Sequence, residues 1–333
     1  MRDLSISVYF VRAVLKHTVR CGIDPVHLLR RNRISPRLLQ ESDARISIER
    51  FADLQVSTML AMEDEALGYT ERPMPIGSWS MMCHAVIGCE TLGQALARYC
   101  RFFQLFGFGI HPLLQVEEKW ASIRLAQEDQ SDAPVSYMSE LMLFNSHRFG
   151  SWLVQEHLPL QVVNLSYPPA AQERDYRHMF RGNPMQFQQP HAEIVLSSSL
   201  LQKPVVQTEQ TLRHYLRHPV LLMLTQDFAN NSWTTQVREK MRRNLVDMPE
   251  LKEVASALDV HPQTLRRRLS AEGITFQEIK NQLRRDTALH LLGKQGVNIE
   301  EIAYRSGFSE SSAFIRAFKS WTGVTPYTYG KGL

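Results

Sequence analysis

The last hundred residues repeat themselves, and this constrains the fold more than any other feature of the chain. Glu253-Val254-Ala255 recurs 48 residues later as Glu301-Ile302-Ala303. Leu265, Arg267 and Leu269 recur 49 residues later as Phe314, Arg316 and Phe318, and Gly273-Ile274-Thr275 recurs 50 residues later as Gly323-Val324-Thr325. A drift of this kind is what two diverged copies with single-residue insertions show.

Each copy reads as helix, turn, helix. In the first, Asp247 stands three residues before Glu250 at a capping-box spacing. Leu251, Val254, Ala255 and Leu258 then fall at i, i+3, i+4 and i+7, one buried stripe on a short helix. Asp259-Val260 makes the turn, Pro262 opens a second helix with Leu265 and Leu269 facing the same core, and Gly273 ends it. In the second copy, Asn298 and Glu301 form the opening box, Gly307 breaks the helix, Ser309 caps the next one, and Phe314 and Phe318 point inward. Between the copies, Thr275 and Glu278 open a helix that runs to about Leu292, roughly 27 Å long at 1.5 Å per residue.

Helical projection picks the outward residues. With the core face between Leu265 and Leu269, Arg267 lies almost opposite, Gln263 and Ser270 flank it, and Thr264 and Arg266 sit at the edges. On the second helix Arg316 lies opposite Phe314 and Phe318, flanked by Ser312 and Lys319, with Ala313 small enough to meet a thymine methyl. Forked and short polar donors in these places suit base edges of a DNA major groove, Arg reading guanine and Gln reading adenine. A rigid spacer between the copies can hold the two second helices about one DNA turn, some 34 Å, apart, so one chain can reach two successive major grooves of double-stranded DNA. Arg242 and Arg243, Arg284 and Arg285 on the spacer, and Ser309 at the second turn are expected at phosphates, which give affinity without sequence information.

Charge supports this division. Residues 1–230 carry 22 Lys and Arg against 23 Asp and Glu, whereas residues 231–333 carry 16 against 11, so the last third is net +5. A length of 333 residues suits two or three domains. No apolar run approaches the ~18 residues of a membrane span, and the run from Leu4 to Leu15 contains Arg12 and lacks a small-residue cleavage site, so a cytoplasmic protein is expected. Cys21, Cys83, Cys89 and Cys100 form no C-x-x-C pair and read as buried, reduced thiols. H-E-x-x-H, Walker and G-x-S-x-G motifs are missing, and neither a metal nor a cofactor is expected.

Before residue 205 helices and strands intermix. Asp24-Pro25, Ser35-Pro36 and Ser47 mark helix starts, and Leu92 to Phe106 is helical and aromatic. Ile110 to Ala126 alternates as a hairpin around Glu117-Glu118-Lys119. A helix from about Pro134 to His157, a short run from Val162 to Leu165, and a strand from Ala192 to Leu196 follow. A helix is expected between Thr208 and Asn231, with the domain boundary at Asn230-Asn231-Ser232. The fold class is therefore an α+β N-terminal domain followed by an all-α DNA-binding domain of two helix-turn-helix units joined by a linker helix. The domains are residues 1–205, a linker region at 206–232, and residues 233–333. Phe102, Phe103, Phe106, Phe108 and Trp120 could line a pocket, with Arg98 or Arg101 meeting an anionic group, although such aromatics more often fill cores.

The stretch from Leu251 to Tyr327 resembles the DNA-binding domain of AraC/XylS-type transcription regulators. The resemblance rests on Glu301-Ile302-Ala303, Gly307-Phe308-Ser309, Phe314-x-Arg316-x-Phe318-Lys319 and Gly323-Val324-Thr325-Pro326. It implies base contacts through Gln263, Arg266 and Arg267 on one helix and Ser312 and Arg316 on the other. One departure is visible: Tyr327-Thr328-Tyr329-Gly330 follows Pro326 where the family usually places an arginine. Residues 1–205 resemble the companion domain of the arabinose-binding subgroup, through Gly93-x-Ala95-Leu96, Arg98-Tyr99, the following aromatic run and Phe187 before a strand. The resemblance implies a non-enzymatic regulator, an activator that recruits RNA polymerase, with a domain that binds a small-molecule effector or forms a homodimer. Two other readings remain open here: a DNA-repair enzyme, which would need a reactive cysteine, and a ligand-independent architectural protein, whose binding would show little sequence preference.

Overall fold

The computed structural model describes residues 5–42, 44–127, 136–168, 180, 183–225, 233–272, 274–292 and 298–331. The sequence landmarks Pro134, Pro169, Gly182, Asn230-Asn231-Ser232 and Gly273 lie outside them. Elements are numbered in chain order. The chain forms two compact units, one of Ala13–Asp24 and Gln55–Phe228, the other of Met1–Arg12, Pro25–Leu54 and Ala229–Leu333.

Before residue 70 the elements are β1 (Ser5–Ser7), α1 (Val8–Leu15), α2 (Pro25–Arg31), β2 (Arg45–Ser47) and α3 (Ile48–Met62). Two of the proline and serine signals act as expected: helix α2 starts on Pro25, and the Ser47 hydroxyl accepts from the Arg50 amide at the start of α3. Pro36 opens only a short 3-10 turn, and the Ser35 side chain makes no capping hydrogen bond there. Strands β1 and β2 pair antiparallel, Ser5 opposite Ser47.

The first unit is built on a mixed sheet. After α4 (Ser78–Val86) and α5 (Leu92–Phe106) come β3 (Ile110–Val116), β4 (Trp120–Gln127), α6 (Ser136–Val154), β5 (Leu160–Asn164), β6 (Met185–Gln186) and β7 (Glu193–Ser197). Among the described residues the strand order is β3-β4-β7-β5-β6, antiparallel except for the β5 and β6 pair. The expected hairpin turn is present, with the Glu117 amide donating to the Trp120 carbonyl at 2.8 Å. Helix α5 is capped by Thr91, whose hydroxyl accepts from the Gln94 amide. Leu92, Ala95, Leu96, Tyr99, Cys100 and Phe103 form its buried face at i, i+3, i+4 and i+7 spacings. They share a core with Ile123 of β4, Phe149 and Leu153 of α6, Val163 of β5 and Ile194 of β7.

That core claims part of the aromatic set considered as a pocket. Phe103 and Phe108 are buried, whereas Phe106 and Trp120 are exposed, and Arg98 donates to the Ala85 carbonyl. The helix expected between Thr208 and Asn231 is two helices, α7 (Glu209–Tyr215) and α8 (Pro219–Thr225), because Pro219 lacks the amide needed to continue the first. A capping box of Thr208 and Thr211 opens α7. Three cysteines are buried as expected, but Cys21 is exposed.

The second unit contains α9 (Trp233–Arg242), α10 (Leu251–Ala257), α11 (Pro262–Ala271), α12 (Phe276–Leu292), α13 (Ile299–Arg305), α14 (Ser311–Thr322) and α15 (Pro326–Lys331). The chain's beginning belongs to this unit as well. Gly323 adopts φ +76° against Glu41, and the Arg50 guanidinium lies over the Tyr329 ring at 5.9 Å. A 3.5 Å hydrogen bond runs from the Tyr329 hydroxyl to the Arg45 carbonyl. Burial raises the Tyr329 phenol to about 12, and Arg50 opposes that rise by favouring the phenolate.

Candidate nucleic-acid interface

Both repeats fold as helix-turn-helix units. In the first, α10 and α11 pack Val254, Ala255, Leu265 and Leu269 against Val237 and Met241 of α9 and Ile279 and Leu283 of α12. In the second, Ile302 and Ala303 of α13 are buried, as are Phe314 and Phe318 of α14. The aromatic rings interlock there: Phe308 to Phe314 at 5.6 Å, Phe314 to Phe318 at 5.7 Å and Phe318 to Tyr329 at 5.5 Å between centroids.

Local capping sets where each helix begins. Pro262 is the first residue of α11, and the His261 ring accepts from the Gln263 amide. The Thr275 and Glu278 box is reciprocal, with amide bonds of 2.8 and 3.2 Å in the two directions, and Asn298 accepts from the Glu301 amide at 2.7 Å. Two caps differ from expectation. Helix α10 is capped by Glu250 with Glu253, not by Asp247 with Glu250, and α14 follows Glu310 rather than Ser309. In the first case Glu253 reaches back to the Glu250 amide at 2.6 Å, which satisfies an orphan donor three residues later than the sequence spacing suggests.

The predicted outward residues are outward. Gln263, Arg266, Arg267 and Ser270 are exposed and Thr264 is half-buried; together these five line an open depression of about 390 Å³. Arg266 donates to the Gln263 side chain at 3.5 Å, so the two polar groups sit side by side. On α14, Ser312, Arg316 and Lys319 are exposed and Ala313 is half-buried. Ser312 donates to the Glu310 carboxylate at 3.2 Å. Arg268, the third of three consecutive arginines, turns the other way and stacks over Trp233 at 4.0 Å. Glu272 holds the start of α9 by accepting from the Trp233 and Thr234 amides, both at 2.8 Å. The sequence signal for Arg268 is helical phase; Glu272 carries none that separates it from a solvated carboxylate.

The residues expected at phosphates divide. Arg243 and Ser309 are exposed and Arg242 is half-buried. Arg284 instead points into the unit. It donates to the Gly307 carbonyl at 2.8 Å and stacks over Phe308 at 4.8 Å, and burial lowers its pKa. Arg285 is largely covered and donates to buried Asp286 at 3.2 Å. Helical phase alone does not reveal that the second turn supplies a carbonyl and a ring to Arg284, or that Asp286 engages Arg285. Gly307 lets this turn pack against the Leu245 backbone: at φ +77°, a Cβ there would stand 2.6 Å from the Leu245 carbonyl oxygen.

The linker helix is held one turn earlier as well. Lys280 of α12 donates to Glu250 at 2.8 Å, and this bond, with the lysine's charge, holds the exposed Glu250 carboxyl below its ordinary range. Among the described residues no cluster of three His, Cys, Asp or Glu could hold a metal, and no helix is long and apolar enough to cross a membrane.

A mixed α/β domain followed by paired helix-turn-helix units that present arginines defines a two-domain DNA-binding architecture. Residues 22–205 match the arabinose-binding N-terminal domain of AraC transcription regulators, and residues 254–332 match a helix-turn-helix domain. The chain belongs to the AraC family of DNA-binding transcription regulators, with a ligand-binding type of N-terminal domain. It is similar to the ornithine utilization regulator of Pseudomonas aeruginosa, 26% identical over 326 residues that cover 97% of this chain and 96% of that one. It is also similar to the regulator VirS of Mycobacterium tuberculosis, 22% identical with 92% and 91% covered. Among solved structures it is similar to CdpR from Pseudomonas aeruginosa, at 20% identity and TM-score 0.30 with 97% and 98% covered.

Proposed function

We propose that the chain is a one-component transcription activator that reads two successive major grooves of a promoter operator and responds to a small molecule. One observation carries this reading. Arg267 and Arg316 occupy equivalent positions in the two repeats, and each is exposed opposite a pair of fully buried residues, Leu265 with Leu269 and Phe314 with Phe318. In this reading Gln263, Thr264, Arg266 and Arg267 meet bases of one half-site, and Ser312, Ala313, Arg316 and Lys319 meet the other. Arg242, Arg243 and Ser309 meet phosphates, while Arg284 ties the linker helix to the second unit and Arg285 is engaged by Asp286.

Residues 1–205 act as the sensing and dimerisation domain, 206–232 as the linker and 233–333 as the DNA reader, with residues 1–12 and 25–54 belonging to the compact unit that holds the reader. The protein works in the cytoplasm as a homodimer without catalysis of its own, and DNA-bound protein recruits RNA polymerase. The effector acts by binding the DNA-competent state more tightly than the incompetent one. Burial of Cys83 and Cys100 bears on the repair-enzyme alternative: desolvation raises Cys83 well above its ordinary value and Cys100 to about 12, the opposite of a reactive cysteine, and Cys21 is the exposed thiol.

Selection of duplexes from a random library by the full chain, followed by footprinting, tests the proposal. It expects one enriched site with two protected segments on one DNA face, about one helical turn apart. Binding without any enriched sequence contradicts it.

A further inference from the structure

The two reading helices are not chemically equal. The 49-residue offset that places Leu265 on Phe314 and Arg267 on Arg316 also places Arg266 on Ile315. Arg266 is an exposed, long, forked donor. Ile315 is 38% exposed, while its helix neighbours Phe314 and Phe318 are fully buried.

Its setting makes this more than a stray surface residue. Ser312, Ile315, Arg316 and Lys319 lie at i, i+3, i+4 and i+7, so Ile315 belongs to the same exposed stripe as the polar residues assigned to base edges. The aromatic interlock of Phe308, Phe314 and Phe318 fixes the helix that carries Ile315. In a major groove the apolar feature available to such a side chain is the C5-methyl group of thymine.

We infer that Ile315 is a specificity-determining residue which packs on a thymine methyl in the half-site read by α14, while the equivalent Arg266 takes a hydrogen-bond acceptor in the other half-site. The operator is therefore asymmetric in kind: acceptor-rich under α11 and methyl-dependent under α14. This rests on the DNA-reading role proposed above.

The test replaces each thymine of the selected site, one at a time, with deoxyuridine, which removes the methyl and nothing else. Binding of the full chain and of Ile315→Ala is measured on every duplex. The expected result is one thymine, in the half-site whose preference depends on Arg316, where uracil weakens the wild type about fourfold, the effect of losing one buried methyl. At that duplex Ile315→Ala binds thymine and uracil equally, and Ile315→Val keeps part of the discrimination. Retained sensitivity to Arg267→Ala shows that each variant is folded. Wild type and Ile315→Ala responding alike to uracil at every position overturns the inference alone. Failure to select any site overturns the DNA-reading proposal and this inference with it.

Discussion

Arg284 of the linker helix donates from its guanidinium to the main-chain carbonyl of Gly307, 23 residues away, at 2.8 Å. This bond fastens the spacer to the turn of the second helix-turn-helix unit, and the guanidinium also covers the face of Phe308. The linker helix is therefore tied to the second helix-turn-helix unit by a side-chain to main-chain bond.

Removing that fastener should be costly. Arg284→Ala is expected to lower stability by about 2 kcal/mol, the worth of a charge-assisted hydrogen bond together with its ring contact. Thermal melting checks this, and Arg284→Lys should recover only part of the loss because an ammonium cannot stack in the same way.

Gly307 and Gly323 both adopt positive φ, yet their neighbours differ. At Gly307 an added methyl meets a main-chain carbonyl at 2.6 Å; at Gly323 the nearest atom, at 2.9 Å, is the end of the flexible Glu41 side chain. Gly307→Ala should cost about 2 to 4 kcal/mol, and Gly323→Ala about 1 to 2 kcal/mol. Denaturant unfolding of the two variants should give that order.

The Glu250 and Lys280 pair makes a pH prediction. The carboxyl is held below its ordinary value of 4.5 in the folded chain. Its contribution is present above that value and fades as pH falls through the lower folded pKa. Carboxyl NMR titration should find Glu250 depressed in the wild type and back in the usual glutamate range in Lys280→Gln.

Thiol labelling should sort the cysteines by burial. Exposed Cys21 should react at once, whereas buried Cys83 and Cys100 should react only as fast as the chain unfolds. Fast labelling of Cys83 in the native state would contradict the packing of α4 and α5.

Local chemistry made much of this structure legible in advance. The repeat shows Leu265 and Phe314 to be equivalent positions, Pro262 starts its helix where its residue type places it, and the caps at Thr275 and Asn298 act likewise. What the sequence hides is non-local. The spacing of Asp247 and Glu250 points to a cap at Asp247, but Glu253 reaches the Glu250 amide and the helix starts after Glu250. Arg284 looks like any solvated arginine until the Gly307 turn is brought beside it. The placement of Glu41, Arg45 and Arg50 in the same unit as Gly323 and Tyr329 joins residues almost 300 positions apart, which no periodicity announces. Ile315 was readable from the 49-residue offset, but only its exposure separates a surface isoleucine from a core one.

The central claim is that Arg267 and Arg316 read different base pairs one DNA turn apart. Base preference should be profiled across the selected site for the full chain, Arg267→Ala and Arg316→Ala. Each substitution should weaken specific binding by about 1 to 3 kcal/mol and relax preference at its own position, the two positions lying about 10 base pairs apart. Unchanged preference in either variant, or relaxation of the same base pair by both, would contradict the account.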